Sequence, residues 1–278
     1  GRTLDALQRY AAGGAVQAHA SKDAATAALI GRWAAELDPK TPPALILAAT
    51  RKDVAQLNSE ARAAMRAAGR LGDEFMVGAR EETMGEPARD FRLRLAKGER
   101  LLFTKNDKAM GVKNGTLGTL ERAETGALFV RLDGPERRVV RVELAAYRNL
   151  AHGYALTIHK AQGVTVDRAH VLVSKAMDRH ATYVALSRHR EAVTLHYSQT
   201  DARDIGALAK RIGRDRPKGT TFDHWGQPQR ERRHERRVIA RDISATFDRS
   251  ARKVIEKPKV TPRFRTPAQR PRGFGYDR

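Results

Sequence analysis

HGYALTIHKAQGVTVD, residues 152–167, and TYVALSRHR, residues 182–190, decide how this chain is read. Each joins a short apolar run to a polar loop, the first through Thr157 to Gly163, the second through Ser187 and Arg188. The pattern predicts a strand, a loop and a helix start, then a strand-like YVAL and a second helix that opens on Arg188. Polar loops beside apolar strands are how α/β sheets present side chains to a bound phosphate. Yet no G-x-x-x-x-G-K-[ST] occurs, so the chain has no phosphate-cradling loop of its own.

Upstream, ALILAAT (44–50) is a short apolar run of the kind found in buried parallel strands. Residues 52–68 follow as an amphipathic helix, with Val54, Leu57, Ala61 and Met65 on one face and Gly69 closing it. A strand leading into such a helix is half of a βα unit. Residues 4–37 read as helical, broken at Gly13-Gly14. AHVLVSK (169–175) and AVTLHYS (192–198) are further sheet strands.

Between 90 and 146 the period changes to two. FRLRLA, ERLLFTK, ALFVRL and RRVVRVEL read as short strands, with hairpin turns expected at Asn114-Gly115 and Asp133-Gly134. Short strands packed this closely predict a small SH3-like barrel set into the α/β pattern. Beyond about 201 the apolar faces weaken, with helices expected over 201–212 and 229–245, and the end is expected to be disordered.

The formal charge of +21 predicts a polyanionic partner, nucleic acid being the usual one. Residues 201–278 hold 22 Lys and Arg against 10 Asp and Glu, so 12 of the excess charges lie in this last segment. The absence of cysteine excludes disulfides and thiolate metal sites and fits a cytoplasmic protein. No 18-residue apolar run is present to insert in a membrane. The histidines show no metal-ligand spacing, so no metal site is expected. The chain opens on Gly1, which reads as a piece of a longer protein.

Arginine presents a planar fork of donors that suits phosphate oxygens, so Arg188 is the candidate for stabilising charge on a transferred phosphoryl group. Taken alone it equally reads as a surface arginine among His189 and Arg190. Gln162 can orient water or meet a phosphate, and Gly163 lets the backbone come close. In isolation that stretch also reads as a helix cap.

Together HGYALTIHKAQGVTVD and TYVALSRHREAV resemble motifs V and VI of superfamily 1 helicases of the RecD-like branch. KAMDRHATYVALSRHR is similar to the helicase part of conjugative relaxases of the Ti-plasmid type, and ALILAATRKDVAQLN to the segment opening their second RecA-like domain. The resemblance covers about residues 1–200. It implies a RecA-like second motor domain over 43–88 and 149–200, interrupted by an SH3-like insertion over 89–148. Residues 1–42 would be a helical connector from the first motor domain, and 201–278 a basic, partly helical to disordered tail.

The same resemblance implies an ATP-dependent 5′→3′ DNA helicase working in conjugative plasmid transfer. Arg188 would be its arginine finger, Gln162, Gly163 and Arg51 would lie by the nucleotide, and Thr157, His159, Lys105 and Lys113 would meet DNA. ATP and Mg²⁺ would be shared with the first motor domain, so this stretch alone would be inactive. Implied partners are single-stranded DNA, upstream RecA-like and relaxase domains, and a type IV secretion coupling protein. Thr165 departs from the glutamate common two residues after the motif V glycine, which removes an expected ribose contact. The alternatives are a non-catalytic nucleic-acid-binding and secretion-coupling module, using Arg263, Arg265, Arg270 and Arg272, or part of a RecD-like repair helicase.

Overall fold

The structure is a computed structural model and describes residues 2–214, apart from 83–84 and 135. The expected disordered segment, with the helix at 229–245 and Arg263, Arg265, Arg270 and Arg272, lies outside the described residues.

The chain begins α1 (Arg2–Ala12), β1 (Val16–His19), α2 (Lys22–Ala35), β2 (Leu45–Ala48) and α3 (Arg51–Ala67). An antiparallel stretch follows: β3 (Glu74–Glu81), β4 (Arg89–Ala96), β5 (Arg100–Phe103), β6 (Leu117–Glu124), β7 (Ala127–Leu132), β8 (Val139–Glu143) and β9 (Leu150–His152). The parallel pattern resumes with β10 (Ala155–Thr157), β11 (Val166–Leu172), α4 (Arg179–Leu186), β12 (His189–Ser198) and α5 (Ile205–Ile212).

Five parallel strands form the body in the order β1-β12-β11-β2-β10. Successive side chains of a strand point to opposite faces. Accordingly, Leu45 and Leu47 of β2 join a core with α1, α4 and α5, while Ile46 and Ala48 join one with α2 and α3. The sheet is thus sandwiched between two helical layers. Asp53 and Asn58 are buried on α3 beside the predicted apolar face, of which Val54 is only partly covered. Side-chain caps start the helices: Thr50 accepts from Asp53 N at 3.1 Å, Asp178 from Ala181 N at 2.8 Å and Asp204 from Ala207 N at 2.7 Å.

Asn58 also closes the β10 edge of the sheet. Its Oδ1 accepts from Tyr154 N and Ala155 N at 3.1 and 3.0 Å, and its Nδ2 donates to Ala155 O at 3.0 Å. One side chain therefore answers backbone groups of an outer strand that would otherwise be orphaned in the interior.

The antiparallel stretch forms a sheet in the order β8-β7-β6-β5-β9 and a separate β3-β4 hairpin. Both close on one core that includes Val77, Leu95, Phe103, Leu128 and Val142. The inserted unit is larger than the expected 89–148: β3 adds to it before residue 89, and β9 pairs with β5 beyond 148. Charged residues along β3 (EFMVGARE) had obscured its alternation.

Three further expectations are corrected. The 1–42 segment is not a purely helical connector, because β1 pairs in parallel with β12 and joins the body sheet. This four-residue strand is only half-buried, so its apolar signal is thin. YVAL is the last part of α4 rather than a strand, and Arg188 follows that helix instead of opening one. Asn114-Gly115 does not make a two-residue hairpin; β5 and β6 are joined by the long 104–116 loop, in which Gly115 has φ 96°. The tight turn lies at Thr125-Gly126, with Gly126 at φ 78°.

Beneath α2, histidines from three adjacent strands meet, His170 and His196 buried and His19 half-buried. His19 Nε2 is 3.2 Å from His196 Nδ1, with the rings stacked, and His170 Nε2 is 3.2 Å from Glu36 Oε2. Burial pushes the fully covered His196 down to about 3, helped by the neighbouring histidines. The unfolded chain takes up that proton near pH 6.5, whereas the folded protein resists it. Stability is therefore complete above about pH 6.5 and falls by roughly 1 kcal/mol per unit as the pH drops toward 3. Urea midpoints measured from pH 7.5 to 5 are expected to decline, and His196→Asn to flatten the decline. An unchanged slope in that variant would place the acid sensitivity elsewhere.

Candidate functional site

The loop leaving β10 is built as consecutive turns. Ile158 N donates to Ala48 O at 2.9 Å, tying the loop's start to the end of β2. Thr157 Oγ1 accepts from Lys160 N at 3.1 Å, and Thr157 O from Ala161 N at 3.0 Å. Gln162 N then donates to His159 O, and Val164 N to Ala161 O. Ile158 and Ala161, three apart, point into the core, while His159, Lys160, Gln162 and Gly163 face outward. Gly163 has φ 88°, yet an added Cβ would meet no heavy atom within 4 Å. It is glycine for its backbone angle and not for lack of room.

Arg188 lies between the end of α4 and the start of β12. Its Nε donates to Val184 O at 2.9 Å, its Nη2 to Ser187 Oγ at 2.7 Å and its Nη1 to Val164 O at 3.3 Å. Val166 N in turn donates to Arg188 O at 2.9 Å. Cations are favoured at helix C-termini, and Arg188 takes up a carbonyl there. Burial pushes its guanidinium below the ordinary arginine range. All three of its hydrogen bonds go to neutral oxygens, with no carboxylate among them.

The candidate residues therefore fall in two groups. Arg188 and Val164, the residue after Gly163, meet where β11 and β12 begin. Thr157 and Arg51 lie at the other end of the sheet, because Thr157 pairs with Ala48 and Arg51 starts the helix after β2. The turns from His159 to Gln162 connect them.

The 104–116 loop joins this region from the inserted unit. A Cβ on Gly115 would sit 3.5 Å from Val164 Cγ2 and 3.8 Å from Lys160 O, so the two loops lie against each other. Exposed Lys113 is two residues away. Lys105, by contrast, has its Nζ 3.0 Å from Glu82, which partly neutralises it. Tyr147 braces this loop by donating to Lys105 O at 2.7 Å. Missed from the sequence was Glu99, fully buried between β4 and β5. In KGERLL it reads as a solvated turn residue, and nothing local signals its burial.

Mg²⁺, implied by the resemblance, finds no ligand set here: among the described residues no group of three His, Cys, Asp or Glu side chains could hold a metal. Also among them, no helix is long and apolar enough to cross a membrane.

Residues 110–197 match the family model described as the viral superfamily 1 RNA helicase core domain. The chain is 38% identical over 233 residues to the conjugal transfer protein TraA of Rhizobium radiobacter, covering 83% of this chain and 20% of that protein. It is 39% identical over 225 residues to TraA of Agrobacterium fabrum, covering 81% and 20%. Against the ATP-dependent RecD2 DNA helicase of Deinococcus radiodurans it is 38% identical over 98 residues, 34% of this chain and 13% of that one. The crystal structure of Pif1 helicase from Bacteroides in complex with ADP-AlF3 and ssDNA aligns with a TM-score of 0.46 at 18% identity, covering 86% of this chain and 54% of that one. The chain spans about a fifth of the length of the TraA proteins it matches. The chain is thus a homologue of one stretch of the TraA conjugal transfer proteins, shares a shorter stretch with RecD-like helicases, and matches the helicase part of a conjugative relaxase.

Proposed function

We propose that the chain supplies the second, RecA-like motor domain of an ATP-dependent 5′→3′ DNA helicase within a conjugative transfer relaxase. The carrying observation is the bond from Arg188 Nη1 to Val164 O, which joins the arginine to the Gln162-Gly163 turn. On this reading the parallel body is the motor domain and the β3–β9 unit its SH3-like insertion.

Arg188 would stabilise charge developing on the γ-phosphate, with Gln162 and Gly163 beside it. Its neutral partners support this role, since a phosphate can displace them without breaking an ion pair. Arg51, at the far end of the sheet, would reach the nucleotide only from a separate direction, and its role is the less supported of the four. The phosphate-cradling loop and the Mg²⁺ ligands would come from the first motor domain. The isolated chain would therefore bind DNA without hydrolysing ATP, and hydrolysis by it would refute this division of labour.

Thr157 and His159 would meet single-stranded DNA, His159 through its exposed ring and Thr157 through the turn it caps. Lys113 would add a phosphate contact, and Lys105 only on leaving Glu82. Further partners would be the upstream motor and relaxase domains, and a type IV secretion coupling protein read by the basic C-terminal segment, in a cytoplasmic setting. Anisotropy with a fluorescent oligonucleotide tests the DNA surface. His159→Ala with Lys113→Ala is expected to weaken binding by the whole chain about tenfold and to lower the log–log salt slope by roughly 0.7, the share of one phosphate contact. Unchanged affinity and slope would remove this face as the DNA site and leave the C-terminal segment as the binder.

A further inference from the structure

Both passages of the chain between the parallel body and the inserted unit converge on a buried carboxylate. Glu99 Oε2 is 3.0 Å from Arg62 Nε of α3, and Glu99 Oε1 accepts from Tyr154 Oη at 2.7 Å. Arg62 also reaches Glu74 at 2.8 Å, where the chain enters the unit at β3. Tyr154 lies where the chain returns, between β9 and β10, and Asn58 of α3 holds its backbone N–H. The outgoing strand, the returning strand and the β4–β5 turn are thus fastened to one helix.

Close backbone approaches accompany this cluster. A Cβ on Gly98 would stand 2.2 Å from Arg70 O, just after α3, and one on Gly153 would stand 2.8 Å from the carbonyl carbon of Leu101. A buried ion pair adds little net stability over apolar packing, because desolvation offsets its attraction. Its best-attested use is to fix one arrangement among several. Here what it fixes is the seat of the inserted unit on α3. That seat decides where the unit's 104–116 loop comes to rest, which is against Lys160 and Val164.

We propose that Glu99 is a positioning residue: through Arg62 and Tyr154 it seats the inserted unit on α3 and so holds the 104–116 loop on the turn that carries Gln162, Gly163 and Val164. The Glu99 cluster is the latch, and the loop contact beside Arg188 is what it maintains. This role rests on the proposed function only in naming that turn as part of the motor site.

Hydrogen exchange on the full 278-residue chain, read by mass spectrometry without ATP or DNA, tests the latch. Glu99→Gln keeps an acceptor for Tyr154 but removes the charge facing Arg62. Peptides spanning 104–116 and 158–165 are expected to exchange about tenfold faster, while those in β6–β8 and β11–β12 stay as in the parent. Tyr154→Phe, which deletes one hydroxyl, is expected to show the same pattern more weakly, and it decides the matter should Glu99→Gln not fold. Glu99→Asp, with its charge withdrawn by one methylene, is expected to restore only part of the protection. Unchanged protection of both loops would overturn the proposal, as would acceleration spread evenly through the chain, the mark of a merely stabilising group. Since no nucleotide or DNA takes part, failure of the latch and failure of the helicase reading are separately visible.

Discussion

In a polypeptide that also carries the first motor domain, Arg188→Ala is expected to lower DNA-stimulated ATP turnover about a thousandfold, the scale of losing an arginine finger. DNA affinity should stay within a factor of about two, because the exposed residues at His159 and Lys113 are untouched. The geometry separates this outcome from a simple packing effect. Arg188 gives its fork to Val184 O, Val164 O and Ser187 Oγ, all neutral acceptors. Losing such bonds at a helix end costs about 1 kcal/mol, which leaves the domain folded. A half-buried guanidinium meeting no carboxylate in those bonds keeps its full charge for an anion. Arg188→Lys retains that charge without the planar fork and should recover only a small part of the turnover. Steady-state rates beside thermal melts decide the question. Normal turnover in a folded Arg188→Ala protein would leave the residue as a helix cap and nothing more.

The largest structural effect is expected from Gly98→Ala. Gly98 has φ 89°, and an added Cβ would lie 2.2 Å from Arg70 O, a backbone atom with no freedom to swing aside. The junction between α3 and the inserted unit must then open, at a cost of about 3 kcal/mol or more. Gly126→Ala is the matched control. It too has positive φ, 78°, but meets no heavy atom within 4 Å, so only backbone strain of about 1 kcal/mol is expected. Urea unfolding of the two variants separates crowding from strain. Equal losses would mean that the close approach to Arg70 carries no weight.

What could be read from the sequence follows signal density. ALILAAT gave β2 because all four strand residues are buried on both faces, and the helix after it showed its period in Leu57, Ala61 and Met65. Val16–His19 was hidden because a half-buried edge strand of four residues resembles an interrupted helix. YVAL misled because four adjacent apolar residues fit a buried strand as well as a short helix packed on the sheet. Asp178 was the discriminating residue, since its carboxylate caps that helix at Ala181. The neighbourhood of Arg188 and Gly163 was legible from residue types, but their joining through Val164 O depends on the β11–β12 pairing, a long-range fact. Glu99 was invisible for the same reason: its partners Arg62 and Tyr154 lie 37 and 55 positions away.

Asn58 has a consequence for how this protein behaves in company. In β-rich molecules an outer strand is a template on which a neighbour can crystallise its own backbone. At β10 that template is already occupied, because the amide of Asn58 takes Ala155 N and O, and Ala161 N takes Thr157 O. A stray peptide reaching this rim finds its docking points spent. Growth of the parallel sheet is left to the β1 rim, so a fused peptide meant to extend that sheet belongs on that side.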